Sequence, residues 1–249
     1  MTGKPTRKRL DVLLVERGLA ESRQKAQAMI LAGEIQIDGK KAEKAGANVS
    51  ESARIAVHSR LQKYASRGGF KLEGALEDFH VSPEGRICLD VGSSTGGFTD
   101  CLLQSGALRV YAVDVNTGQL AWKLHGDPRV IRVKKNAREL SLADVSEPVD
   151  LVVADVSFIS VTKILPGAFT CAKPGADLLI LVKPQFELER EDVGKGGIVR
   201  DPRLHQRAID SVRGTADSLG LSVLGVSPSR LQGAEGNQEY FLHARKPAS

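Results

Sequence analysis

From Gly69 onwards the chain alternates short apolar runs with amphipathic stretches. Apolar runs of strand length fall at 86–91, 109–114, 129–133, 150–155, 178–183, 221–227 and 239–244. Helical spacing fills 70–79, 97–105, 117–123, 161–171 and 203–219 between them. A near-continuous run such as Leu178-Leu-Ile-Leu-Val182 belongs to a strand covered on both faces. Strands alternating with helices predict an α/β fold, a mostly parallel sheet with helices on both faces. In such sheets ligands bind at the carboxyl ends of the strands.

The first quarter of the chain follows another pattern. Residues 9–18 predict a short helix with Leu10, Leu13 and Leu14 on one face, Asp11 as N-cap and Gly18 as the stop. A second helix is expected from Ser22 over 23–32, with Ala26, Met29 and Ile30 on one face and Gly33 ending it. Ile35-Gln-Ile-Asp-Gly-Lys40 alternates and turns at Asp38-Gly39, a hairpin signal, and 54–57 supplies another strand. These elements predict a small α+β domain at 1–60, a basic linker at 61–68 and the α/β body at 69–249. An arm between the two could sense docking of the first domain.

Charge sharpens this division. The 249 residues carry 35 Lys and Arg against 30 Asp and Glu, a net +5. Residues 1–60 hold 12 basic and 7 acidic side chains, so the whole excess lies there and the remaining 23 of each sign cancel. That asymmetry suggests a polyanion-binding module on a neutral body, the alternative being a solvated surface. No aromatic residue precedes Tyr64, which disfavours a single-strand stacking platform.

No apolar run approaches the ~20 residues that span a bilayer, and no apolar stretch follows the basic N-terminus to make a signal peptide. A cytoplasmic chain with no membrane partner is expected. Cys88, Cys101 and Cys171 are scattered and read as small core residues of a reducing compartment. His58, His80, His125, His205 and His243 lack metal-ligand spacing, so no metal is expected, and Trp122 is expected to pack its helix.

The chemistry concentrates around Asp90-Val-Gly-Ser-Ser-Thr-Gly-Gly-Phe98, where a buried strand feeds a Gly-rich turn and a helix N-terminus. The G-x-x-x-G-G spacing departs from the dinucleotide fingerprint. Asp90 also precedes the first glycine, where it would repel a pyrophosphate and suit a cationic amino-acid group. The turn therefore reads as a nucleoside-cofactor site, with S-adenosylmethionine the leading candidate and an ordinary strand-to-helix turn the alternative. Its candidate contacts are Asp90, Gly92, Ser93, Ser94, Gly96, Gly97 and Phe98. Asp114 closes the second strand, where it can accept from ribose hydroxyls, and Asn136 follows the third, where an amide could meet an adenine edge. Asp155 closes the fourth strand, Lys183 closes the fifth and Glu239 opens the last. Singly each could be a surface ion pair; charges clustered at apolar strand ends are harder to dismiss.

Two resemblances bear on these motifs. Over about residues 9–57, R-L-D-x-x-L-x-x-x-G and S-R-x-x-A-x-x-x-I-x-x-G-x-I-x-I-D-G-K resemble the RNA-binding domain first seen in ribosomal protein S-four. That likeness implies contacts to structured RNA, mainly phosphates and shape. The candidate RNA-binding residues are Arg7, Lys8, Arg9, Arg23, Lys25, Lys40, Lys41, Lys63 and Arg67. The body resembles RNA ribose methyltransferases of the FtsJ type, through S-R-G-G-F-K-L at 66–72, D-V-G-S-S-T-G-G-F-T-D at 90–100, D-V-S-F-I-S at 155–160, V-K-P-Q-F-E at 182–187 and G-N-Q-E at 236–239. Together the two halves resemble the TlyA family, bacterial ribosomal RNA 2′-O-methyltransferases sometimes labelled haemolysins. The resemblance implies a class I, Rossmann-like methyltransferase sheet behind the S-four-like domain. It further implies S-adenosylmethionine as cofactor, and ribosomal RNA or a ribosomal subunit as partner, with cytidine modified. The family's Lys-Asp-Lys-Glu tetrad carries over onto Lys71, Asp155, Lys183 and Glu239. The choice of ribosomal subunit stays open, because the chain stops soon after the last strand while its Arg7-Lys8 front resembles the family's longer form.

For such a reaction Lys183 is the candidate base, with Lys71 as a second ammonium crowding it and the two carboxylates orienting the lysines. Which lysine loses its proton is left open. Asp155 could also face the cofactor's amino group or sulfonium. The Gly-containing loop 187–197 is a candidate flap or a plain exposed loop. Rival readings are a non-catalytic RNA-binding or assembly factor and a membrane-lytic protein. An amino-adenine methyltransferase would need an N/D-P-P-Y/F motif where this chain has Asp-Val-Ser-Phe, and a cytosine-carbon enzyme would need a cysteine there.

Overall fold

The structure is a computed structural model that describes residues 7–20, 22–31, 33, 35–42, 44–57, 63–233 and 236–248. Ala32, His58 and linker residues 61 and 62, all singled out above, lie outside the described residues. The chain divides into two compact units, Met1–Lys63 and Tyr64–Ser249.

In the first unit β1 (Arg7–Arg9) pairs antiparallel with β4 (Asn48–Ser50). Helices α1 (Leu10–Glu16) and α2 (Arg23–Leu31) precede a sheet in which β2 (Ile35–Ile37) lies between β3 (Lys40–Lys41) and β5 (Ile55–Val57). Asp38 and Gly39 take φ of 49° and 81°, the left-handed pair that a tight hairpin turn requires. Leu10, Leu14, Ala26, Ile30 and Ile35 form the core.

Asp11 is not the N-cap. Arg9 occupies that position, and Asp11 lies fully buried in the first turn of α1. Its carboxylate accepts from Arg9 Nη2 and Gln27 Nε2, each at 2.9 Å, and from Arg23 Nη2 at 3.3 Å. The Arg9 guanidinium, with Gln27 and Arg23, holds the Asp11 carboxyl well below the usual carboxylate range. A buried carboxylate needs such partners, and here they are two of the expected RNA-binding arginines.

The second unit is a seven-stranded sheet in the order β11-β12-β10-β9-β6-β7-β8. Its strands are β6 (Ile87–Val91), β7 (Arg109–Asp114), β8 (Val130–Lys134), β9 (Val149–Ala154), β10 (Ala172–Val182), β11 (Ser222–Pro228) and β12 (Tyr240–Arg245). All neighbours are parallel except at β12, which runs antiparallel to both β10 and β11. Alternate side chains serve opposite faces. Leu89, Val91, Val152, Ile180 and Leu242 pack with α6 (Leu165–Cys171) and α8 (Pro202–Ser218). Cys88, Val110, Val153, Leu179 and Phe241 pack with α3 (Gly68–Asp78) and α4 (Gly97–Gln104). The sheet is thus covered on both faces.

Trp122 does not pack its helix. The 117–123 stretch splits into a 3-10 turn, Thr117–Gln119, and a short α5 (Trp122–His125). Leu120 and Leu124 point inward, leaving Trp122 79% exposed. The helix α7 (Pro184–Glu187) and the early start of β10 at Ala172 are additions to the expected elements.

Candidate active site

The carboxyl edge of the sheet is a hydrogen-bonded rim. The strand β6 ends in the Gly-rich turn, and Gly92 has φ 86° with room for no side chain, since a Cβ there would lie 2.3 Å from the Asp155 carbonyl oxygen. Asp155 N donates to Val91 O at 3.0 Å, and Ser94 N donates to Asp114 Oδ2 at 2.9 Å. The ends of β6, β7 and β9 are therefore locked together, and α4 starts directly behind them.

Three cavities open along this rim. The first, about 250 Å³, is bordered by Ser93, Ser94, Gly97, Phe98, Arg67 and Asp155, among others. The second, about 430 Å³, reaches Asp114, Asn136, Val113 and Ile164. The third, about 470 Å³, is lined by Gln185, Phe186 and Glu239. Lys71 and Lys183 line both the first and the third. Ser93 Oγ is buried and has no hydrogen-bond partner among the described residues, so it offers an unmet polar contact beside the turn.

Each lysine has its own carboxylate. Lys183 Nζ lies 2.5 Å from Asp155 Oδ1 and donates to Ser157 Oγ at 2.9 Å. The Asp155 contact is an ion pair without hydrogen-bond alignment, so Ser157 is the directional partner. Lys71 Nζ, from α3, lies 2.5 Å from Glu239 Oε2, and Glu239 is 2% exposed. The register Val182↔Tyr240 brings Lys183 and Glu239 to adjacent strand ends, because β12 runs antiparallel. Both lysines thus border the same two cavities, each in an ion pair with its own carboxylate.

Not every residue expected at the cofactor site borders the cleft. Asp90 is fully buried behind the turn, where Thr99 Oγ1 donates to its Oδ2 at 2.6 Å and Oδ1 has no partner among the described residues. Burial pushes its carboxyl up to about 7. Gly96 is the N-cap of α4, with φ 89°. Asn136 borders the second cavity but also accepts from Arg138 N at 3.1 Å.

Other lining residues were not singled out from the sequence. Ser157 and Phe158 stand inside D-V-S-F, and Gln185 and Phe186 inside K-P-Q-F, so the motifs held the signal without ranking these positions. Phe158 is 91% exposed at φ 64°, a strained conformation for a bulky residue, with its ring 5.3 Å from that of Phe186. It borders both the second and the third cavity. The loop after β10 is pinned beside them. Glu187 accepts from Ser160 Oγ at 2.5 Å and Val161 N at 2.8 Å, and Asn237 Nδ2 donates to Gly197 O at 2.8 Å.

In the first unit Lys25, Lys40 and Lys41 are exposed, as is Arg7. Lys8 pairs with Glu16 at 2.7 Å. Lys63 is exposed at the end of that unit, and Arg67 is exposed at the start of the second.

These motifs have known counterparts. A model of the FtsJ-like methyltransferase family matches residues 64–246, and an S4 domain matches 8–55. The 16S/23S rRNA (cytidine-2′-O)-methyltransferase TlyA of Mycobacterium tuberculosis is 48% identical over 241 residues, 96% of this chain and 90% of that protein. This chain belongs to the TlyA family. A second relative, Hemolysin A of Brachyspira hyodysenteriae, is 42% identical over 94% of this chain and 98% of its own length. A solved chain from Streptococcus thermophilus that carries a haemolysin label superposes with a TM-score of 0.75 at 40% identity, covering 99% of this chain and 90% of that one. Among the described residues no helix is long and apolar enough to cross a membrane, and no cluster of three or more His, Cys, Asp or Glu could hold a metal ion.

Proposed function

We propose that this protein transfers the methyl group of S-adenosylmethionine to a ribose 2′-hydroxyl of ribosomal RNA, on cytidine. The observation that carries the reading is the placement of both lysine–carboxylate pairs on the cleft beside the Gly-rich turn. The M. tuberculosis relative, a cytidine-2′-O-methyltransferase by name, supports the same acceptor.

The residues present fit the cofactor. Ser93 Oγ is an unmet buried polar atom, Gly92 leaves no side chain in the way, and the second cavity sets Asp114 and Asn136 against the apolar Val113 and Ile164. That mix of a few polar groups on apolar walls suits a nucleoside. Ser93, Ser94, Gly97, Asp114, Asn136 and Asp155 would hold it, with Asp90 supporting the turn from behind. Bound there, S-adenosylmethionine would supply an electrophilic methyl group on a sulfonium centre.

The protein's own task is to orient and deprotonate the ribose hydroxyl. Lys183 accepts that proton at Nζ, and Asp155 neutralises the ammonium that results. Positioned proton transfer of this kind contributes about 10²–10⁴-fold. Lys71, held by Glu239, flanks the acceptor oxygen from α3. The S4-type unit holds RNA through Lys25, Lys40 and Lys41, contacts to phosphate that position without reading sequence. A ribosomal substrate places the enzyme in the cytoplasm.

The test is transfer of labelled methyl from S-adenosylmethionine to unmodified ribosomal subunits and to free ribosomal RNA, with the product mapped by resistance to alkaline cleavage. Label at the 2′-oxygen of a cytidine is expected. Label on a base, or on no RNA, contradicts the proposal.

A further inference from the structure

Ser157 borders all three cavities of the cleft. It is exposed to them, and the hydrogen bond described for its hydroxyl goes to Lys183, which donates from Nζ at 2.9 Å. The loop around it is braced by other groups. Asp155 N bonds to Val91 O, and Glu187 receives Ser160 Oγ and Val161 N. The Ser157 hydroxyl is therefore not what holds the loop in place.

A lysine nitrogen sits on a flexible four-carbon stem, and one charge contact leaves it free to swivel. The contact to Asp155 is close, at 2.5 Å, but lacks hydrogen-bond alignment. It attracts the nitrogen without aiming it. Ser157 supplies the aligned contact. Ser157 holds one substituent direction at Nζ and Asp155 draws the nitrogen to its side, while Lys183 still lines the first and third cavities. In the neutral amine the lone pair is the direction left to face them.

We infer that Ser157 is a positioning residue for methyl transfer: by accepting one N–H of Lys183, it aims the proton-accepting direction of Nζ at the ribose 2′-hydroxyl. This inference rests on the reading that Lys183 takes that proton. The step balances. The O2′–C bond forms as the S–C bond breaks, the O2′–H proton passes to Nζ, and the positive charge lost at sulfur reappears on Lys183.

The experiment compares wild type, Ser157→Ala and Ser157→Thr on unmodified ribosomal subunits. Cofactor affinity is read by calorimetry and fold integrity by thermal melting. Loss of one directing hydrogen bond is worth about tenfold in rate. Ser157→Ala is expected to lower kcat about tenfold, with KM for the subunit and the affinity for S-adenosylmethionine within about twofold of wild type. Ser157→Thr, which keeps the hydroxyl, is expected to recover most of that loss. A Ser157→Ala enzyme with unchanged kcat overturns the inference. So does one whose loss lies in KM or cofactor affinity, or a folded, cofactor-binding Ser157→Thr enzyme no faster than Ser157→Ala. Failure of the underlying reading looks different: the wild type transfers no methyl to ribose, or Lys183→Ala transfers it at the wild-type rate.

Discussion

Asp90 sits under the Gly-rich turn with no exposed surface, and burial pushes its carboxyl up to about 7 although Thr99 donates to it. In the unfolded chain the same group titrates near ~3.9. Its stabilising contribution is therefore complete below that value and is lost as pH rises towards 7, a swing of up to roughly 4 kcal/mol. Relative to wild type, Asp90→Asn is expected to gain melting temperature between about pH 5 and pH 7 and to level off above that; a difference in melting temperature that ignores pH would contradict this. Gly92→Ala combines a Cβ 2.3 Å from the Asp155 carbonyl with φ 86°, and it is expected to lower affinity for S-adenosylmethionine at least tenfold by calorimetry. Unchanged affinity would show that the turn tolerates the shift. Single residues divide clearly in how readable they were. Lys71, Asp155, Lys183 and Glu239 were legible as charges in family motifs, three of them at strand ends. The burial of Asp11, the recess of Asp90 and the exposure of Trp122 were not, because packing by distant residues decides them.

At the scale of elements, hydrophobic period showed which stretches are strands and which faces they cover. It carried no information on direction, so the antiparallel run of β12 was not legible, although that run is what sets Glu239 beside the end of β10. The early part of β10 was also hidden, since Lys173, Pro174 and Gly175 look like a loop and the pairing there is irregular. Asp177 marks the amino end of that sheet region. It pairs with Arg86 at 2.8 Å, Arg245 at 2.8 Å and His243 at 2.9 Å, tying β10 to β12 and to the residue before β6. Burial alone would raise its carboxyl, but His243, Arg86 and Arg245 outweigh burial and hold it well below the usual range. Its contribution is therefore present above about pH 4 and fades as acid protonates it. Asp177→Asn is expected to cost about 3–5 kcal/mol at pH 7, with the gap to wild type narrowing towards pH 3 in urea melts. An equal gap at both pH values would contradict that origin.

The whole molecule joins an S4-type unit to an FtsJ-like body, and the asymmetry of charge along the chain already separated them. Changing Lys25, Lys40 and Lys41 together to Glu is expected to weaken RNA binding and flatten its salt dependence by up to about 2–3 in slope. Affinity for S-adenosylmethionine should stay as it was. Salt dependence equal to wild type would move the RNA contacts elsewhere. The central claim is that Lys183 receives the ribose proton, and single-turnover methyl transfer to ribosomal subunits by Lys183→Ala tests it most directly. A loss of about 10²–10⁴-fold, with cofactor and RNA still bound, is the predicted result. Transfer near the wild-type rate would contradict it.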